Sequence, residues 1–182
     1  MKIRNRIAAL LLCVSIGAAL AACGNEAKTI GASSSVQNAS ESEASDQANM
    51  PNPWVEIADQ QEAEQQAGFT IQLPSSLPAE YGTPSFLVIP GDMMEAYYVG
   101  AGEARLCVRK AAGTDDASGD YRDYPESQQV TVGDLEVTMK GDDGAISLAV
   151  WNDGTNAYSI GIYGGVGLTV EEMTQMVSEM ME

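Results

Sequence analysis

Residues 128–163, "QQVTVGDLEVTMKGDDGAISLAVWNDGTNAYSIGIY", decide the fold, because three apolar alternations follow one another with turn residues between them. Val130 and Val132 alternate with polar neighbours, and so do Leu135, Val137 and Met139. A two-residue turn at Gly133-Asp134 pairs Val132 with Leu135 and Val130 with Val137, so apolar meets apolar, and glycine in first place suits a type II′ turn. The next hairpin calls for a different loop. Ile146, Leu148 and Val150 are expected to share a face with Tyr158, Ile160 and Ile162. A two-residue Asp153-Gly154 loop would pair Val150 with Ala157 and break that parity. A three-residue loop, Asn152-Asp153-Gly154, pairs Leu148 with Tyr158 and Ile146 with Ile160, and this register is the one predicted.

Working outward, "GIYGGVGLT" (161–169) places glycines between a strand and a helix, where phosphate loops stand. It has neither GxGxxG spacing nor a Gly-Lys-Ser/Thr ending, so a Gly-rich connection is the better reading. The helix that follows has agreeing start signals: Thr169 as cap, Glu172 three positions on, and Leu168 able to pack on Met173. Met173, Met176, Val177 and Met180 follow at helical spacing, a stripe that reads as core before it reads as an adaptable docking groove. Towards the amino end, "PSFLVIP", "MEAYYVG" and "ARLCVRKA" read as strands. Phe69, Ile71 and Leu73 alternate as a half-buried strand that Pro74 and Pro78 terminate. A short helix over 60–67 is capped by Asp59, with Glu62 at its third position and Gly68 as its stop. The expected class is α+β: an antiparallel β-meander, a short N-terminal helix, and an amphipathic C-terminal helix packed on the apolar face.

Composition bounds the chemistry. The chain contains no histidine, which removes Ser-His-Asp and Cys-His catalysis and every histidine-containing metal site. Catalysis by carboxylates alone, as in glycosidases, or by Ser with Lys survives that cut. No cofactor is indicated. The three cysteines are Cys13, Cys23 and Cys107, and the segment 53–182 holds only Cys107, so that domain must stand on its own core without a disulfide.

The amino terminus supplies an address. Lys2, Arg4 and Arg6 precede an uncharged apolar run from Ile7 to Ala22, short of the about 20 residues a membrane span needs. Leu20-Ala21-Ala22-Cys23 resembles the bacterial lipoprotein signal, and the resemblance implies cleavage between Ala22 and Cys23 and a diacylglyceryl thioether on Cys23. The reading is a signal peptide over 1–22, a lipidated Cys23 opening a Ser-, Ala- and acid-rich tether over 23–52 that is expected to be disordered, and a single domain over 53–182. The mature chain would carry 26 acidic against 6 basic side chains, a net charge of −20. An anionic bilayer surface or a nucleic-acid backbone would repel it. The lipid is therefore the expected link to the membrane, and the domain is expected to face outward from the cytoplasm.

The domain also resembles a family of small domains of unknown function found in clostridial and related lipoproteins and in some anti-sigma-factor ectodomains. The residues that carry the resemblance are "NPW" at 52–54, "AEQQAGF" at 63–69, "LPSSLP" at 73–78 and "LTVEEM" at 168–173. It implies a surface lipoprotein of Gram-positive type and transfers no catalytic residue.

Three further sites merit placement. Asp115, Asp116, Asp120 and Asp123, with Glu126, gather oxygens that a weakly held hard cation could use, but the spacing departs from the EF-hand pattern and a solvated acidic loop is the better reading. Strand alternation puts Cys107 on one face with Arg105 and Arg109, two cations that would lower a thiol pKa, although a lone strand cysteine reads first as a small buried hydrophobe. Trp151 and Tyr163 share the nominally exposed face of their hairpin but stand too far apart to hold one sugar ring. The function these observations favour is a non-catalytic binding or sensing module at the cell envelope, engaging a small ligand or an envelope protein. The alternatives are a structural partner in an envelope assembly and a carboxylate-dependent envelope hydrolase.

Overall fold

The structure, a computed structural model, describes residues 51–181. The expected signal peptide, Cys13, Cys23 and the expected tether through residue 50 lie outside the described residues. The elements, in chain order, are β1 (Val55–Ile57), α1 (Gln60–Ala67), β2 (Ser85–Ile89), β3 (Met93–Val99), β4 (Arg105–Ala112), β5 (Glu126–Val132), β6 (Leu135–Asp142), β7 (Ala145–Asn152), β8 (Asn156–Tyr163) and α2 (Val170–Glu179). The class is α+β. All the strands join one antiparallel sheet in the order β1-β2-β3-β4-β8-β7-β6-β5.

That order corrects the simple meander. Two four-stranded meanders, β1–β4 and β5–β8, are joined where β4 pairs with β8 instead of with β5. The joint is a fully paired ladder from Arg105↔Tyr163 to Ala112↔Asn156. Along it Leu106 meets Ile162 and Val108 meets Ile160, and all four are buried. Strand β5, which a meander would have placed here, exposes most of its residues and fits the sheet edge.

Both helices lie on one face, where one continuous apolar cluster forms. Ala63 and Ala67 contribute from α1; Met173, Met176 and Val177, all fully buried, contribute from α2. The methionine stripe is therefore core. Burying such side chains is worth about 1.5–3 kcal/mol each. The helix starts follow the predicted chemistry. The Asp59 side chain accepts from the Glu62 N–H at 3.1 Å, and Gly68 closes α1 at φ +82°. At α2 the Glu172 N–H donates to Thr169 Oγ1 at 3.2 Å, while the Thr169 N–H donates to Glu172 Oε2 at 2.9 Å.

The first quoted hairpin has the predicted register, Val130↔Val137 and Val132↔Leu135, with Gly133 at φ +60°. The second does not. Leu148 pairs with Gly161 and Trp151 with Tyr158, and the Asp153 N–H donates to the Asn156 carbonyl at 3.1 Å, leaving Gly154-Thr155 as the turn. The cause lies in β7. Lys140 pairs with Leu148 but Gly141 pairs with Ile146, so Ser147 is an unpaired bulge residue. The bulge shifts the alternation. Ile146 faces the helices, Ala149 and Trp151 continue that face, and Leu148 and Val150 turn to the other. Gly141 permits this, because a Cβ there would stand 2.0 Å from the Ala145 carbonyl oxygen.

Residues 69–73 form no ladder. Ile71 is buried as the alternation requires, but its backbone is satisfied by α1 side chains: its N–H donates to Glu64 Oε1 at 3.1 Å, and its carbonyl accepts from Gln60 Nε2 at 3.0 Å.

Candidate functional site

The second face of the sheet carries a different population. Strand register aligns Glu56, Leu87, Glu95, Arg109 and Ser159 in one row across β1, β2, β3, β4 and β8. Ser85, Tyr97, Cys107, Gly161 and Leu148 form the next row, and Val99, Arg105 and Tyr163 a third. A groove of about 570 Å³ opens on the β1–β4 half of this face, with its lining drawn from these three rows.

Two arginines organise the face. Arg109 ion-pairs with Glu95, which is 4% exposed, and donates from Nη1 to the carbonyls of Ala117 and Ser118. The Trp54 ring covers the same guanidinium, 5.6 Å from its centroid. Arg122 stacks on Tyr163, 4.5 Å from the centroid, donates to the Ile162 carbonyl at 3.1 Å, and holds Asp120 at 2.6 Å. These bonds fasten the segment between β4 and β5 over β4 and β8. The described residues leave the half of the face nearer β1 open, and that is the groove.

Titration follows from these surroundings. Burial raises the Asp120 carboxyl, but hydrogen bonds from Arg122 and from the Tyr124 hydroxyl, at 2.7 Å, outweigh it and hold it at about 2. Burial pushes the Tyr163 hydroxyl up to about 12. Cys107, Arg105 and Arg109 do share one face, as strand alternation predicts. The thiol nevertheless follows the buried reading and not the activated one. Burial, then the Glu95 carboxylate, push Cys107 up to about 12, and the pull of Arg109 and Arg105 is the weaker effect. The side chain is a buried hydrophobe, not a poised nucleophile.

The acidic residues of the β4–β5 segment do not converge. Asp116 accepts from the Ser118 N–H at 2.8 Å, Asp120 is engaged by Arg122, and Asp115 and Asp123 are exposed. Glu126 accepts from the Gly144 N–H at 2.9 Å. Among the described residues, no cluster of acids and cysteine is arranged to hold a metal. Trp151 and Tyr163 stand on opposite faces, contrary to the expectation that they share one. Trp151 is buried and stacks on Tyr158 with centroids 5.4 Å apart. The glycines of 164–167 are spacing residues: a Cβ at Gly164 would lie 2.7 Å from the Glu103 carbonyl oxygen, and one at Gly167 2.8 Å from that of Ile146.

Several groove residues were not singled out from sequence, namely Glu56, Ser85, Leu87, Glu95 and Tyr97. A signal existed in "MEAYYV", where Glu95 and Tyr97 alternate against Met94, Ala96 and Tyr98, and a mid-strand carboxylate demands a cation on a neighbouring strand. Among the described residues, no helix is long and apolar enough to cross a membrane. No family model, curated protein or solved structure matches the chain.

Proposed function

We propose that this chain is a lipid-anchored extracytoplasmic domain, of the lipoprotein family type that its sequence resembles, and that it binds a small ligand in the groove of its second sheet face. The location rests on Leu20-Ala21-Ala22-Cys23 and on the charge of the mature chain. The observation that carries the binding role is the groove itself, half a sheet face left open with charged, aromatic and apolar side chains around one concavity. Such a site is preformed, since its walls are strands and its flank is fastened by Arg109 and Arg122. The carboxylate-hydrolase alternative has less support. Glu56 and Glu95 both line the groove, but the Glu95 carboxylate is engaged by Arg109 and is not free to pass a proton.

Two measurements test the two halves. Labelled palmitate fed to the native host should enter the protein and be lost in Cys23→Ser; label retained in that variant, or absent from the wild type, removes the anchor. A thermal-shift screen of small molecules on the full chain should find native-state binders that raise Tm by mass action. Binders insensitive to a bulky Ser85→Trp substitution in the groove wall would move the site elsewhere.

A further inference from the structure

Charge distribution identifies what the groove is built to take. The described residues include three arginines, Arg105, Arg109 and Arg122, in a chain with 26 acids, and all three stand at the second face. Arg109 is matched by Glu95 and Arg122 by Asp120. Among the described residues, Arg105 is the one arginine without a carboxylate partner; it is exposed, and it lines the groove. A lone guanidinium in so acidic a domain would ordinarily find an acid from its own chain.

Its neighbours set the shape of a guest. Tyr163 on β8 and Val99 on β3 stand directly beside Arg105 in the register. Tyr97 and Cys107 form the next row, about 7 Å along the strand direction, roughly the length of one ring and its link. Beyond them the Glu95–Arg109 pair ends the floor without net charge. Glu56 lies on β1, three strands from Arg105 and about 14 Å away across the sheet, too far to repel a group held at Arg105. A phosphate dianion draws on several donors, and here one cation is unmatched. A guest with no apolar part would leave Leu87 and Tyr97 without apolar cover.

We infer that the groove binds a small monocarboxylate with a flat apolar body, its carboxylate on the Arg105 guanidinium and its body between Tyr97 and Tyr163 over Cys107. The inference rests on the binding role proposed above, and adds the ligand class and the residue that selects it.

The test is an NMR titration of the full chain with four probes: 3-phenylpropionate, its primary amide, 3-phenylpropylamine and inorganic phosphate. The acid should bind, perturbing Tyr97 and Tyr163, and the other three should bind at least about tenfold more weakly, the loss expected when a charge-assisted bond is missing. Arg105→Gln should lower affinity for the acid by at least about tenfold at unchanged Tm, and Arg105→Lys should keep part of it. The inference is overturned if the acid does not bind, if the amide, amine or phosphate binds as tightly, or if Arg105→Gln leaves affinity unchanged. These failures separate from failure of the binding role. A neutral or cationic guest seated on Tyr97 and Tyr163 removes the ligand class and keeps the groove as a site. A fragment screen in which nothing of any charge perturbs those residues removes both.

Discussion

The two faces of this sheet are covered by different means. Over one lie α1 and α2, held by the interlocking of apolar side chains such as Ala63, Met173 and Met176 with Ile160 and Met139. Over the other lies an irregular segment, fastened at two points by guanidinium groups that reach backbone carbonyls. Apolar packing spreads across a whole face because it is additive and non-directional. Polar fastening acts only where its bonds are, so it covers β4 and β8 and leaves the β1–β3 side open. The groove is a consequence of that difference.

The comparison can be broken at either face, and the largest effect is expected on the apolar one. Ile160→Ala, at a fully buried position in the middle of the joining ladder, should cost about 3–4 kcal/mol in urea unfolding; a loss below about 1 kcal/mol would mean that this row is not core. On the polar face, Glu95→Gln leaves the Arg109 guanidinium without its counter-ion. Because that side chain is 20% exposed, water relieves part of the cost and about 2–3 kcal/mol is expected. Loosening of the β4–β5 segment, read as faster amide exchange near Ser118, should accompany it. Equal exchange in both proteins would show that Arg109 does not hold the segment.

A smaller effect separates the second fastening. The Asp120 carboxyl lies below its ordinary value in the folded chain, so as pH falls the unfolded chain takes up the proton first. Its contribution is therefore complete above about pH 4 and is lost as pH falls towards 2. Asp120→Asn should lower stability at pH 7 by on the order of 1 kcal/mol, reduced by the exposure of Arg122, and should flatten the decline between pH 4 and 2. Parallel acid-unfolding curves for variant and wild type would contradict the assignment. The smallest effect sharpens the contrast. Arg105→Gln should change stability by no more than about 0.5 kcal/mol, because this arginine holds no carboxylate among the described residues. A loss of 2 kcal/mol would make it a structural residue.

What the sequence disclosed depended on how local the deciding interaction was. Helices α1 and α2 and the β5–β6 hairpin were legible because their caps and turn lie within a few residues of what they control: Asp59 with Glu62, Thr169 with Glu172, Gly133 between Val132 and Leu135. The β7–β8 register was not. Ile146, Leu148 and Val150 alternate without interruption in the sequence, and nothing there marks Ser147 as the residue that leaves the ladder. The true core face after the bulge is carried by Ala149 and Trp151, one of them too small to declare itself. At residues 69–73 the apolar alternation is genuine, but Gln60 and Glu64 provide the backbone partners that a neighbouring strand would otherwise supply. For the groove, alternation on β4 places Arg105, Cys107 and Arg109 together. The groups that match or flank them, Glu95 from β3 and Tyr163 from β8, arrive through strand pairing that no single segment encodes.

The position of β1 has a mechanical consequence. It is three residues long, pairs among the described residues with β2 alone, and is the route by which the chain enters the sheet from its amino-terminal side. Tension applied from that side would peel β1 away before it strained any longer strand, lifting Trp54 from Arg109 and carrying Glu56 out of the groove wall. A pull from the amino-terminal side of β1 would thus deform the pocket first and the core last.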